Sequence, residues 1–189
     1  PLAFVEPNTK EIKGIFHDLM EEAGKRLDLK IEWAEELGWG TVVESVKTGR
    51  VDMACAGYWL HPSRIKNVSF NEPLFYTPLY AWGRFDETRT FNDLEDFNNE
   101  NLTIVKIDGD TAGQLVDRYF SKTKQLNLPE TATTADYITS VLTKKADYLI
   151  DDITSFEAYN KENPNKLKIL YDKKPFAIFP ATMLLPPDE

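Results

Sequence analysis

The sequence predicts an α/β protein of two lobes, with mostly parallel sheets flanked by helices. Three observations predict it. Strand-like and helix-like segments alternate along most of the chain. Residues 45–52 (SVKTGRVD) return in part at residues 140–147 (SVLTKKAD), so the same sequence of helix end, turn and strand start occurs in each half. The chain has 189 residues, 42 % of them hydrophobic, which fits one large domain or two small lobes, each with a proper core.

Taken in order, residues 2–5 read as a short strand, Pro7-Asn8-Thr9 as turn chemistry, and Ile12-Lys13-Gly14 as extended chain again. A helix is predicted over residues 16–27, where Phe16, Leu19, Met20, Ala23 and Leu27 recur on one face. Leu29, Ile31 and Trp33 alternate with charged residues, the pattern of a half-buried strand. Residues 41–48 read as a short helix that Gly49 terminates in the left-handed conformation. Residues 51–56 form a compact apolar strand, and Pro62 suits the first turn of the next helix, with His61 in the capping position. Residues 75–82 are extended and rich in aromatics. The chain is then polar from Arg84 to Asn101, with a short helix at residues 93–97, and a lobe boundary falls near Gly83.

Beyond it, residues 102–107 are a strand. Residues 111–120 are an amphipathic helix with Ala112, Leu115, Val116, Tyr119 and Phe120 inward. Residues 135–142 are a helix, 147–150 a strand, and 176–185 extended and apolar. Lobe one is therefore 1–82 plus 178–189 and lobe two 83–177, with hinge crossings near 80–84 and 176–181. The internal repeat, carried forward, sets Gly57 opposite Asp152, each just past its strand, where open α/β sheets bind ligands.

Composition excludes several functions. Acidic residues outnumber basic ones 31 to 22, a formal charge of −9, which argues against nucleic acid and anionic membrane surfaces as partners. The single Cys55 excludes an internal disulfide and a Cys-rich zinc site, and two histidines exclude a multi-histidine metal centre. Cys55 itself reads as buried and inert. No metal or cofactor is expected: nothing resembles a Ser-His-Asp set, a metal site or a phosphate loop. The longest uncharged stretch, residues 175–187, is too short to span a membrane and is interrupted by Pro180. The first residues lack the basic and apolar regions of a signal peptide, and the chain reads as a piece of a longer protein.

Gly14-Ile15-Phe16-His17-Asp18-Leu19 resembles the GFDxDL start of the first helix in amino-acid-binding periplasmic solute-binding proteins, and Trp39-Gly40 resembles that family's Trp element before the next helix. The run from Gly49-Arg50-Val51-Asp52 through Ala56-Gly57 and His61-Pro62-Ser63-Arg64 to Val68-Ser69-Phe70-Asn71-Glu72-Pro73 is similar to the family's GxxD…AG…TxxR…vdFsxPy. Asp108-Gly109-Asp110-Thr111 and the stretch from Ala146-Asp147 to Asp152 resemble second-lobe elements. The resemblance implies the two-lobed type II periplasmic-binding fold, here without its first strand and last helix, in a periplasmic or extracellular bacterial setting. It implies a monomer that closes on an amino acid or related carboxylate and presents the closed form to a membrane permease. Sensor domains of membrane signalling receptors share the chemistry and are the alternative. Some relatives are cyclohexadienyl dehydratases, which need a general acid. Only Glu6 and Glu72 are candidates here and neither has a partner group, so no enzyme and no catalytic residue is expected.

The resemblance also assigns roles. Arg64 would clamp the ligand carboxylate, its guanidinium fork matching two oxygens; the alternative is a surface arginine. Thr111 would give a second carboxylate contact at a helix start, or only help cap that helix. Asp152 would pair with the ligand ammonium, unless the neighbouring Asp151 points in and Asp152 only caps a helix. Gly57 would offer its carbonyl to the same ammonium. Trp59, Trp39 and Phe4 are candidate walls for the ligand side chain, with first-lobe core as the alternative for Trp39 and core packing for Phe4. Three positions depart from the family: Trp59 replaces a Ser or Thr, Phe16 an Asp, and His61 a capping Thr. Trp59 fills space and removes a polar contact, which points to a smaller or atypical ligand.

Overall fold

The computed structural model describes residues 2–5, 9, 11–34 and 37–187. The side chains of Phe4 and Ser63 lie outside that description, as do Glu6, Pro7 and Asn8. The chain divides into two compact units. Unit 1 comprises Pro1–Leu37, Val42–Tyr76 and Pro180–Glu189; unit 2 comprises Gly38–Thr41 and Thr77–Phe179. Residues 38–41, 77–82 and 178–179, expected in the first lobe, therefore belong to the second unit.

Unit 1 begins with a small antiparallel pair, β1 (Phe4–Val5) and β2 (Ile12–Lys13). Helix α1 (Ile15–Leu27) follows Gly14 and ends at Asp28, whose left-handed backbone turns its N–H back to the Gly24 carbonyl. The buried face of α1 is Phe16 and Gly24; Leu19 and Leu27, expected inward, are exposed. Gly24 decides this, because a Cβ there would stand 2.8 Å from Cγ1 of Ile31, so the following chain packs on that side. Residues 29–34 run alongside without forming the expected strand. Their alternation serves packing on α1: Trp33 stacks on His17 at 5.0 Å and donates its indole N–H to Glu21 at 2.7 Å.

Helix α2 (Val42–Lys47) leads into β3 (Ala54–Trp59), which lies three residues later than expected, and then into the single turn α3 (Pro62–Ile65). Cys55 on β3 is half-buried, and burial pushes its thiol up to about 11, so it stays a thiol. The short β4 (Ser69–Phe70) and β3 both pair antiparallel with the end of β10 (Ala177–Leu185). Phe16, Val42, Val46 and Leu184 are almost fully buried in this unit.

The strand β5 (Phe75–Arg84) begins in unit 1 and ends in unit 2, and β10 runs the other way. In unit 2 a 3-10 turn (Leu94–Phe97), capped by Asp93, precedes β6 (Thr103–Ile107) and α4 (Thr111–Tyr119). Strand β7 (Lys124–Leu128) had no clear sequence signal, since alternate residues are polar on an edge. Next come α5 (Thr134–Leu142), β8 (Tyr148–Asp152), α6 (Ile153–Glu162) and β9 (Leu167–Ile169). Strands β7 and β8 flank β6 in parallel, whereas β5 pairs antiparallel with β8 and β9. The sheet is thus mixed rather than mostly parallel. Trp82, Ile107, Tyr137, Val141, Leu149 and Phe156 form its core, and Tyr119, expected inward on α4, is exposed.

The two ends of the β8 strand differ in chemistry. At its start Arg89 bridges Glu87 and Asp147, and Asp147 also accepts the Thr103 N–H. At its end, and at the end of β6, carboxylates gather.

Candidate functional site

Arg64 is set by its chain neighbours. Strand β3 ends at Trp59, and Pro62 starts α3 with its φ already helical. The His61 carbonyl accepts the N–H of Arg64 at 2.9 Å, which fixes the turn. His61 thus takes part in the capping position through its backbone. The Arg64 side chain is buried at 4 % exposure, so the surface alternative does not hold. Its Nη1 donates to the Trp59 carbonyl at 3.4 Å, and its guanidinium lies 5.9 Å from the Tyr58 ring centre.

Gly57 and Trp59 stand on the same strand. Between the pairs Tyr58–Thr182 and Ala54–Leu184, β3 carries more residues than β10. That bulge contains Gly57, at φ +78. A Cβ there would fall 2.7 Å from Leu2 Cδ1 and 3.0 Å from Phe16 Cε2. Gly57 lies inside β3 rather than past it. Trp59 is buried at 8 % and contributes its carbonyl to Arg64. Glu72 is exposed.

The second group belongs to unit 2. Strand β6 delivers the chain to Asp108-Gly109-Asp110, and Asp110 caps α4 by accepting the Ala112 N–H at 3.1 Å. Thr111 follows as the first residue of α4; it is fully buried, and its hydroxyl has no hydrogen-bond partner among the described residues. Such a hydroxyl is costly to leave unsatisfied. Strand β8 delivers Asp151 and Asp152. Asp152, 5 % exposed, caps α6 by accepting the Ser155 N–H at 2.9 Å. Asp151 is half-buried and accepts the Asp152 N–H at 2.8 Å. Burial first, then the charges of Asp152 and Asp110, push the Asp151 carboxyl well above the usual carboxylate range. Tyr137 donates its hydroxyl to the Ile150 carbonyl, and burial followed by the charges of Asp151 and Asp110 holds its pKa far above normal. Three carboxylates and a buried phenol therefore share the carboxyl ends of β6 and β8.

Trp39 joins this unit. Its indole N–H donates to Thr134 at 3.3 Å and its ring packs on the unit 2 core, not on a core of the first lobe. Glycines permit the approach: a Cβ on Gly40 would stand 2.6 Å from the Asp108 carbonyl oxygen. Phe4, the remaining candidate wall, has a side chain outside the described residues. Tyr137 carries no local motif that marks it as a neighbour of Asp151, because the two meet only through the packing of α5 on β8. Among the described residues no group of three or more His, Cys, Asp or Glu side chains is arranged to hold a metal ion.

Residues 1–122 match the family described as bacterial extracellular solute-binding proteins, family 3. A probable histidine-binding protein of Campylobacter jejuni is 23 % identical over 156 residues, which is 82 % of this chain and 57 % of that protein. The chain thus spans little more than half the length of that curated relative. Among solved structures, a putative binding component of an ABC transporter from Wolinella succinogenes, complexed with lysine, superposes with a TM-score of 0.86 at 20 % identity, over 100 % of this chain and 78 % of that one. The arginine-bound form of truncated ArgBP from T. maritima gives 0.85 at 22 % identity, over 98 % and 82 %. All three are named as binding proteins or components. The fold is that of these structures.

Proposed function

The chain belongs to the bacterial extracellular solute-binding proteins of family 3, and on that premise we propose that it captures an amino acid or related small carboxylate outside the cytoplasm and passes it to an ABC-type permease. Its two units act as lobes that close on the ligand, with β5 and β10 as the connecting strands. Arg64 takes the ligand carboxylate, and Thr111 gives that carboxylate a second hydrogen bond. Asp152 receives the ammonium, helped by the Gly57 carbonyl, and Trp39 supplies an aromatic wall. Ligand contacts made only in the closed form stabilise closure.

The observation that carries the reading is the burial of Arg64. A guanidinium is expensive to bury, and its planar fork of donors fits a carboxylate. The lysine-complexed relative is described as part of an ABC transporter, which favours uptake over signalling. No helix among the described residues is long and apolar enough to cross a membrane. We take the binding form to be a monomer, which light scattering with and without ligand checks.

A thermal-shift and calorimetric screen tests the function. The panel holds L-amino acids, their derivatives, dicarboxylates and cyclic acids, with Arg64→Ala in parallel. An amino acid at a hundred times its Kd stabilises the wild type by about 2.7 kcal/mol and leaves Arg64→Ala unshifted. A folded wild type that responds to no amino acid overturns the proposal.

A further inference from the structure

Two consecutive residues of β3 meet the guanidinium of Arg64 in different ways. The Trp59 carbonyl accepts from Nη1 at 3.4 Å, and Cζ stands over the Tyr58 ring, 5.9 Å from its centre. A carbonyl takes up one N–H of the fork. An aromatic face attracts the cation through its quadrupole, and that attraction does not consume the N–H donors a carboxylate would use. The Tyr58 ring is itself held. It is 6 % exposed, and its peptide is fixed on β10 twice. Tyr58 pairs with Thr182 in the sheet, and its carbonyl accepts the hydroxyl of that same, fully buried threonine at 2.7 Å. Arg64 is anchored separately, through the N–H that it donates to the His61 carbonyl. All of these residues belong to unit 1. An arginine side chain has several rotatable bonds, and ordering them weakens ligand binding unless the protein has ordered them beforehand.

We propose that Tyr58 is a positioning residue, whose ring holds the Arg64 guanidinium in place for the ligand carboxylate. The inference rests on the assignment of Arg64 to that carboxylate above. The ring acts electrostatically, so its effect follows the negative charge on its face and not its volume alone. Both partners are buried, which removes the water that would screen the attraction. The effect is also confined to one end of the ligand. A well-placed cation favours a carboxylate, and it does much less for a neutral group at the same position.

Calorimetry on the full chain compares L-amino acids with their α-amides, which replace the carboxylate by a neutral group of almost the same size. Position 58 is varied electronically. Tyr58→Phe is the reference, and mono-, di- and trifluorophenylalanine placed there withdraw charge from the ring face at almost constant shape. Affinity for the acids falls with each added fluorine, about tenfold across the series, and the amides show no such trend. Acid affinities that ignore fluorination overturn the proposal, since the ring then acts by volume alone. A trend shared equally by acids and amides overturns it too, because the carboxylate clamp does not then carry the effect. A wild type that binds acids and amides alike takes Arg64 away from the carboxylate and ends the proposal, whether or not the variants fold, while amino-acid binding itself stands. If no L-amino acid binds the folded wild type, the reading of function falls as well.

Discussion

Gly57 shows how one residue sets a site. Its φ of +78 lies where an L side chain is strained, and the space above it is already filled by Leu2 and Phe16. The bulge it permits brings Tyr58 and Trp59 into register with β10, and the Tyr58 carbonyl accepts the Thr182 hydroxyl at 2.7 Å. Those two residues then meet the guanidinium of Arg64. Gly57→Ala should therefore cost stability twice, through backbone strain and through overpacking, about 2–4 kcal/mol in all. Urea unfolding measures it. A loss below about 1 kcal/mol would show that β3 relaxes around the new methyl and that the bulge does not depend on glycine. Phe16 belongs to the same argument. It stands where the resembling family carries Asp, and it is fully buried beneath Gly57, so the departure has gone into packing rather than into ligand contact.

At the scale of elements, the partial repeat in the sequence is a repeat in hydrogen bonding. The N–H groups of Gly49, Arg50 and Val51 turn back to the carbonyls of Val46 and Ser45. Those of Lys144, Lys145 and Ala146 turn back to Val141 and Ser140 in the same order. Thr48 and Thr143 each donate a hydroxyl to the carbonyl four residues earlier, those of Glu44 and Thr139. Both turns need a left-handed residue, and Gly49 and Lys144 occupy it at φ 73 and φ 64. Opposite substitutions should have opposite signs: Lys144→Gly stabilises by about 0.5–1 kcal/mol and Gly49→Ala costs about 1 kcal/mol. No atom lies within 4 Å of a Cβ built on Gly49, so thermal melts of that variant read the backbone alone. If both variants move Tm the same way, the two turns are not equivalent. Such local chemistry is what the sequence makes legible. The helices at residues 111–120 and 135–142, the Gly49 terminator and a strand starting at residues 147–148 follow from it, although that strand runs on to Asp152 instead of stopping at Ile150. What needs a partner across space does not follow. Alternation at Leu29, Ile31 and Trp33 looks like a strand but packs on α1. The edge strand β7 hides in a polar stretch, and Trp39 sits in unit 2 because Gly38, Gly40 and Gly109 allow a close approach that no local pattern announces. Arg64, Thr111 and Asp152 are candidates because of motif resemblance, whereas the burial of Tyr137 and the surroundings of Asp151 depend on how β8 meets α5.

Over the whole molecule, with a net charge of −9, individual carboxylates respond to folding with opposite signs. Arg89 hydrogen bonds hold Glu87 down to about 2 from an ordinary 4.5. Backbone N–H groups at helix starts hold Asp93 and Asp136 low as well. A carboxylate whose folded pKa is depressed adds stability above its unfolded pKa, and that stability is lost as pH falls towards the folded value. Glu87 therefore weakens the fold between about pH 4.5 and 2. Asp151 acts with the opposite sign. Its folded carboxyl binds a proton more tightly than the unfolded one, so its contribution is present at low pH and is lost as pH rises above the ordinary carboxylate range. Asp151→Asn should raise the stability of the ligand-free protein at pH 8, and the gain over wild type should shrink steadily as pH falls to about 4, where the wild-type carboxyl holds its proton. Urea midpoints of both proteins across that range decide the matter. A gain that stays constant with pH would assign the effect to packing or hydrogen bonding. A gain that grows with pH assigns the effect to the charge on the Asp151 carboxylate, destabilised by its burial and by its acidic neighbours.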